Sequence, residues 1–230
     1  MSNKPVTVVA IDGPAASGKS TVARQTAQAL GWVYVDSGAL YRGLTWKALR
    51  ENVDTTRPAD VIALLARIKW DFFDDQHSIR FTLDGEDPGQ QLRSEIVSKA
   101  ASDIAVVPEV RTFIVGELRK MTEFGSLVME GRDIGSVVFP DTPFKFYLDA
   151  NPAERARRRA AELARPENEG RGDVAQVLSL LTQRDQKDSG RKTAPLQIPL
   201  GARVIDSTQL GIADVVALVL GELRQAGAAP

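Results

Sequence analysis

Short apolar, β-branched runs recur along the chain, and most are followed by longer stretches whose apolar positions repeat every three or four residues. The first run, 6–11, is apolar without alternation, the pattern of a parallel strand buried on both faces. Residues 21–30 then set Val22, Ala23, Thr26, Ala27 and Leu30 at helical spacing and stop at Gly31. The same strand-then-helix reading fits 32–35 with 40–49, 144–149 with 152–163, and 203–206 with 212–223, while 127–130 supplies a further strand. Five parallel strands with crossover helices predict a doubly wound, three-layer α/β fold. Helices are also expected over 61–68, 95–106 and 108–121, the last opened by Pro108.

One stretch breaks the pattern. Segments 68–72 and 79–83 alternate apolar and polar positions on either side of the polar turn 74–78, which predicts an antiparallel hairpin. A half-exposed hairpin among buried strands reads as an insertion in one domain spanning 1–230, because single cores divide only beyond roughly 250–300 residues.

Charge and composition narrow the function. The 29 basic and 30 acidic residues leave a formal charge of −1, which argues against a non-specific nucleic-acid binder and requires any anion site to be local. Cysteine is absent, so disulfides, thiolate-zinc sites and cysteine nucleophiles are excluded. No signal peptide and no run of about 18 apolar residues is seen, so a soluble cytoplasmic protein without a membrane partner is expected. The single histidine, His77, lies in the polar turn and reads as solvated.

Between the first strand and its helix stands Gly13-Pro14-Ala15-Ala16-Ser17-Gly18-Lys19-Ser20, a G-x-x-x-x-G-K-[ST] loop in the strand–loop–helix context that the motif demands. Its chemistry assigns backbone amides to nucleotide phosphates, Lys19 to the β- and γ-phosphates, and the Ser20 hydroxyl to Mg²⁺. Thr21 is either a further phosphate contact or a plain first-turn residue. The second strand delivers Asp36-Ser37-Gly38 to its carboxyl end, where α/β sheets bind ligands. The helix at 40–49 would put Arg42 in a first turn, where the macrodipole disfavours a cation, so an anionic ligand or plain solvation must account for it. Strand 127–130 delivers Gly131-Arg132-Asp133-Ile134-Gly135 to the same crevice. Arg155, Arg158 and Arg159 fall on one helical face, as do Arg184, Asp188 and Arg191, and each group is either solvated surface or an anion site.

A phosphoryl donor and a phosphorylated acceptor together bring about six negative charges, more than one lysine and one Mg²⁺ can neutralise. The surplus arginines, Arg111 among them, suit two phosphorylated ligands. An N-K-x-D base-reading motif of switch GTPases is absent. Transfer between nucleotides is favoured, with a regulatory NTP-binding switch as the rival and adenylate, uridylate or shikimate kinase as alternative enzymes.

The segments I-D-G-P-A-A-S-G-K-S, D-S-G-A-L-Y-R, E-G-R-D-I-G-S-V-V-F-P and Q-R-D-Q-K-D-S-G-R together resemble bacterial cytidylate kinases, over essentially the whole chain. The resemblance implies a P-loop kinase fold with five parallel strands in the order 2-3-1-4-5, ATP-dependent phosphorylation of CMP and dCMP, Mg²⁺, and a monomer. It implies an acceptor-binding subdomain at 66–106, containing the hairpin, and a lid at 155–172. By the same resemblance, Ser37, Arg42 and Arg132, assisted by Arg191, would hold the acceptor phosphate. Ser102, Arg111 and Asp133 would read cytosine, Arg184 and Asp188 the sugar, and Arg155, Arg158 and Arg159 would close over the transferring group. The chain departs from its relatives at Ser20, where they often carry Gly-Thr, and at Lys187, often an arginine.

Overall fold

The computed structural model describes residues 6–164, 173–191 and 193–229. Its parallel sheet is built from β1 (Val8–Asp12), β2 (Val33–Asp36), β5 (Leu127–Gly131), β6 (Phe144–Asp149) and β7 (Arg203–Asp206). Their spatial order is β2-β5-β1-β6-β7, which is 2-3-1-4-5 when the five parallel strands are counted along the chain. β1 is central, buried along its whole length, and paired with both β5 and β6.

Period-two alternation divides the sheet between two cores. Val8, Ala10, Val33, Val35, Leu127 and Met129 face α2 (Ser37–Arg50), α3 (Pro58–Leu65), α4 (Glu95–Ile104) and α5 (Pro108–Lys120). Val9, Ile11, Tyr34, Val128, Phe146 and Leu148 face α1 (Lys19–Leu30) and α8 (Ile212–Gln225). The expected three layers follow. A third, small cluster joins Ala15 of the phosphate loop to Ala156 and Ala160 of α6 (Pro152–Leu163) and to Val177 and Leu181 of α7 (Val174–Ser189). It seats that helical pair directly on the loop.

The hairpin is present as β3 (Trp70–Asp74) and β4 (Ile79–Leu83), paired antiparallel with Phe72 opposite Phe81. It does not stand apart from the core: Phe81 and Leu83 are buried in the cluster that contains Ala10 and Leu127. Trp70 lies 5.7 Å from Phe72 and 5.1 Å from Phe81, centroid to centroid, and the turn is tied to the sheet by Tyr34 N–H donating to His77 O at 2.8 Å.

Two boundaries differ for physical reasons. α2 begins at Ser37 and not at position 40, because Asp36 is its N-cap and accepts from Ala39 N–H at 3.1 Å. Arg42 therefore sits in the second turn, past the region where the macrodipole acts most strongly. α3 starts at Pro58, whose missing N–H costs nothing at a first helical position. Among the described residues, no helix is long and apolar enough to cross a membrane.

Candidate active site

The carboxyl ends of the parallel strands open into a cleft of about 1320 Å³. Its floor is the phosphate loop. Gly13 is fixed by crowding: a Cβ there would lie 2.1 Å from Leu148 O. Gly18, with φ +91°, turns the chain into α1 in the left-handed region that favours glycine. Ala15, Ala16, Gly18, Lys19, Ser20 and Thr21 line the cleft, whereas Gly13, Pro14 and Ser17 lie behind it. Lys19 is buried, donates to Pro14 O at 3.0 Å and stands 4.0 Å from Glu130. Burial, and next the neighbouring Arg132, lower its pKa, so the ammonium is destabilised until an anion arrives.

Glu130 is a site residue that the sequence reading passed over. It is buried at the end of β5 and accepts from Ser20 Oγ at 2.7 Å. The signal was available, since a carboxylate closing an otherwise apolar parallel strand is what singled out Asp36. A hydroxyl beside a carboxylate is a hard oxygen donor set of the kind Mg²⁺ accepts, with substrate phosphates completing the shell. Among the described residues, no three His, Cys, Asp or Glu cluster as a metal cage. An ion that arrives on a nucleotide needs none.

The opposite wall gathers the residues expected on the acceptor side. Ser37, Arg42, Ser102, Arg111, Arg132, Asp133, Arg184, Asp188 and Arg191 all line the cleft, although they come from α2, α4, α5, the β5 end and the α7 end. Four of these guanidinium groups are held by carboxylates: Arg42 by Asp36 at 2.7 Å, Arg132 by Asp188 at 2.8 Å, Arg191 by Asp188 at 3.7 Å, and Arg111 by Asp133. Against the cost of burial, Arg42 and then Arg93 hold Asp36 below the usual carboxylate range. Arg132, Arg191 and Arg184 do the same for Asp188, also against burial. Asp133 goes the other way, because burial outweighs Arg111. Arg184 is open to cleft water by surface area, yet the walls desolvate it and Arg132 repels it, bringing its pKa down to about 10. Among the described residues, three buried guanidinium nitrogens, Arg42 Nε, Arg111 Nε and Arg191 Nη2, have no hydrogen-bond partner.

The arginines of α6 divide. Arg158 and Arg159 line the cleft beside Arg157, which the sequence reading left aside. Arg155 does not line it, contrary to expectation. It is buried, donating to Ala150 O at 3.0 Å, to Ala15 O at 3.1 Å and to Asp185 at 2.5 Å. Its position in the first turn turns it back onto the phosphate loop, while Arg158, three residues on, donates to Ser207 O at 2.6 Å and Arg159 pairs with Glu162 at 2.8 Å. Asp185, a second residue missed, also accepts from Ala15 N–H at 3.3 Å. Only 155–164 of the expected lid at 155–172 is described; 165–172 lie outside the described residues.

Residues 9–225 match the family model described as cytidylate kinase. A protein named cytidylate kinase from Caldanaerobacter subterraneus subsp. tengcongensis is 46% identical over 94% of each chain. Another of that name, from Rhodococcus jostii, is 43% identical over 96% of this chain and 97% of its own. Among solved structures, an uncharacterized protein from Eubacterium ventriosum shares the fold at 11% identity, with a TM-score of 0.54 over 96% of this chain and 99% of that one. A phosphate loop beneath a basic cleft, a five-stranded parallel sheet of order 2-3-1-4-5 and similarity to these relatives over nearly the whole length of each chain lead to one assignment: the chain is a P-loop kinase and belongs to the cytidylate kinase family.

Proposed function

We propose that this kinase transfers the γ-phosphoryl group of ATP to CMP and dCMP, giving ADP and CDP or dCDP, as a cytoplasmic monomer. The observation that carries the reading is the trio of unpartnered guanidinium nitrogens on Arg42, Arg111 and Arg191, in a cleft whose floor is a phosphate loop. Buried donors left unfilled cost about 1–3 kcal/mol each, and a phosphorylated acceptor supplies their partners.

On this reading the loop 13–18 and Thr21 surround the donor phosphates and Lys19 bridges them. Ser20 and Glu130 would hold Mg²⁺, which when bound neutralises charge on the β- and γ-oxygens. Ser37, Arg42 and Arg132, with Arg191, take the acceptor phosphate. Ser102, Arg111 and Asp133 read the base, and Arg184 with Asp188 the sugar. The acceptor therefore enters between the sheet end and the 66–106 segment. Arg158 and Arg159 on α6, the described part of the lid, meet the charge that spreads over the equatorial oxygens in transfer. Arg155 braces the loop instead. Direct in-line displacement needs orientation and charge stabilisation alone, so no covalent intermediate forms.

A coupled ADP-release assay with CMP, dCMP, UMP, AMP and shikimate tests the proposal. Fastest turnover is expected with CMP and dCMP. Preference for another acceptor, or acceptor-independent ATP hydrolysis as the main activity, overturns it.

A further inference from the structure

Asp12 closes β1 one residue before the phosphate loop and is fully buried, at 0% exposure. A buried carboxylate is costly unless its lone pairs are filled. Here both oxygens are filled by backbone of a single loop: Oδ1 accepts from Ile134 N–H at 2.8 Å and Oδ2 from Gly135 N–H at 2.7 Å. Those amides open the π-helical turn Ile134–Val138, directly after Arg132 and Asp133. A second tie runs the other way, since Arg132 donates through Nη1 to Gly13 O at 2.6 Å. In the sheet, Asp12 pairs in register with Gly131 on one side and Tyr147 on the other. One carboxylate thus stands between the strand that feeds the donor loop and the loop that carries two acceptor residues. An apolar residue would suit this core position better and would leave two amides without acceptors.

We infer that Asp12 is a positioning residue for phosphoryl transfer: its carboxylate clamps the 131–135 loop to β1, holding Arg132 and Asp133 in register with the donor phosphates. The inference rests on the acceptor role proposed for Arg132. Misplacement of a reacting group by about 1 Å can cost on the order of 10²-fold in rate. Asp12→Asn keeps the shape, yet turns an amide N–H₂ toward a backbone N–H and so releases one of the two donors.

Asp12→Asn, Gly135→Pro, Arg132→Ala and the Asp12→Asn/Arg132→Ala pair are compared at pH 8. Gly135→Pro removes the donor to Oδ2 and leaves the carboxylate; because a Cβ there would lie 3.2 Å from Lys145 and Pro199, its folding is checked by calorimetry alongside the kinetics. Steady-state kcat and acceptor KM are measured together with the Kd of a non-hydrolysable ATP analogue. The expected result is a fall of about 10–100-fold in kcat/KM for CMP in either single clamp variant, with analogue affinity within about twofold. In the Arg132→Ala background the Asp12→Asn effect should shrink and not add in full, because part of the clamp's action runs through that arginine and the rest through Asp133. Additive losses, an equal fall in analogue affinity, or failure of both clamp variants to fold makes Asp12 a core residue only and overturns the inference. If Arg132→Ala itself leaves acceptor use intact, the acceptor reading of Arg132 fails, and with it the inference. An inert Asp12→Asn beside a crippled Arg132→Ala sinks the clamp alone.

Discussion

Two buried charges at the floor of the cleft bear opposite relations to their surroundings. Lys19 is surrounded by little that stabilises an ammonium: Pro14 O at 3.0 Å, Glu130 at 4.0 Å, and a repelling Arg132. Its removal should therefore cost the fold little and the reaction a great deal. Lys19→Ala is expected to lower kcat by at least 10²-fold with a melting temperature within a few degrees of the parent, measured by coupled assay and calorimetry. Activity within about threefold of the parent would falsify the loop assignment. Asp12 is satisfied by two amides, yet burial raises its pKa from 3.8 to about 7, with Asp133 adding repulsion. Between those values the unfolded chain has lost the proton and the folded chain keeps it, so stability falls as pH rises across this window and levels off above it. At about 1.4 kcal/mol per pH unit, the fall attributable to Asp12 is at most about 4 kcal/mol. Asp12→Asn should flatten that part of the curve, which urea melts from pH 4 to 8 would show; an unchanged slope would mean that Asp12 does not titrate there.

At the scale of elements, the phosphate loop is held from outside as well as by its own glycines. α6 and α7 rest on it through Ala15, Ala156, Ala160, Val177 and Leu181, and the Arg155–Asp185 pair adds a polar brace at both its N–H and its C=O. Breaking a buried pair leaves an uncompensated charge, typically at 3–5 kcal/mol. Asp185 keeps 17% side-chain exposure, so Asp185→Ala should cost somewhat less, about 2–4 kcal/mol in urea unfolding. Joint replacement by Asp185→Leu and Arg155→Met should recover part of that loss. A larger loss in the double variant would mean the pair stabilises in its own right. This brace also marks where the sequence stopped being legible. Helical spacing sets Arg155, Arg158 and Arg159 on one face, but spacing is blind to what the face meets. Only the tertiary seat on the loop separates a buried strut from two cleft-lining cations. The start of α2 was obscured for a local reason, because Ser37 and Gly38 look like turn residues until Asp36 is seen capping the helix. The central strands, by contrast, were plain: β1 and β5 are buried along their whole length and read as near-continuous apolar runs, whereas the edge strand β7, Arg203–Asp206, is largely exposed and was read from its place before a helix.

At the scale of the whole molecule, base recognition has to be assembled from parts distant in sequence. Phosphates look alike in every nucleotide, so the loop cannot choose a base. Cytosine differs from uracil by an exocyclic amine and an unprotonated ring nitrogen, and a selective site needs an acceptor for the first and a donor for the second. The fold brings Asp133 from the end of β5, Arg111 from α5 and Ser102 from α4 to the lining of the cleft. Asp133 and Arg111 are hydrogen-bonded to each other, and Arg111 Nε remains without a partner. A plain salt bridge and a base-reading pair share this geometry but respond differently to substitution. Asp133→Asn puts an amide where the amine requires an acceptor and weakens the hold on Arg111. A bridge that only supports the fold would pass its loss equally to every acceptor. A site that reads the base would lose CMP selectively, since a pocket built to hydrogen-bond one group rejects the analogue lacking it far more strongly than shape alone allows. The expected outcome is a CMP-over-UMP ratio of kcat/KM reduced by an order of magnitude or more; a parallel fall for both acceptors, with the ratio unchanged, would make the pair scaffold and move base selection elsewhere in the cleft.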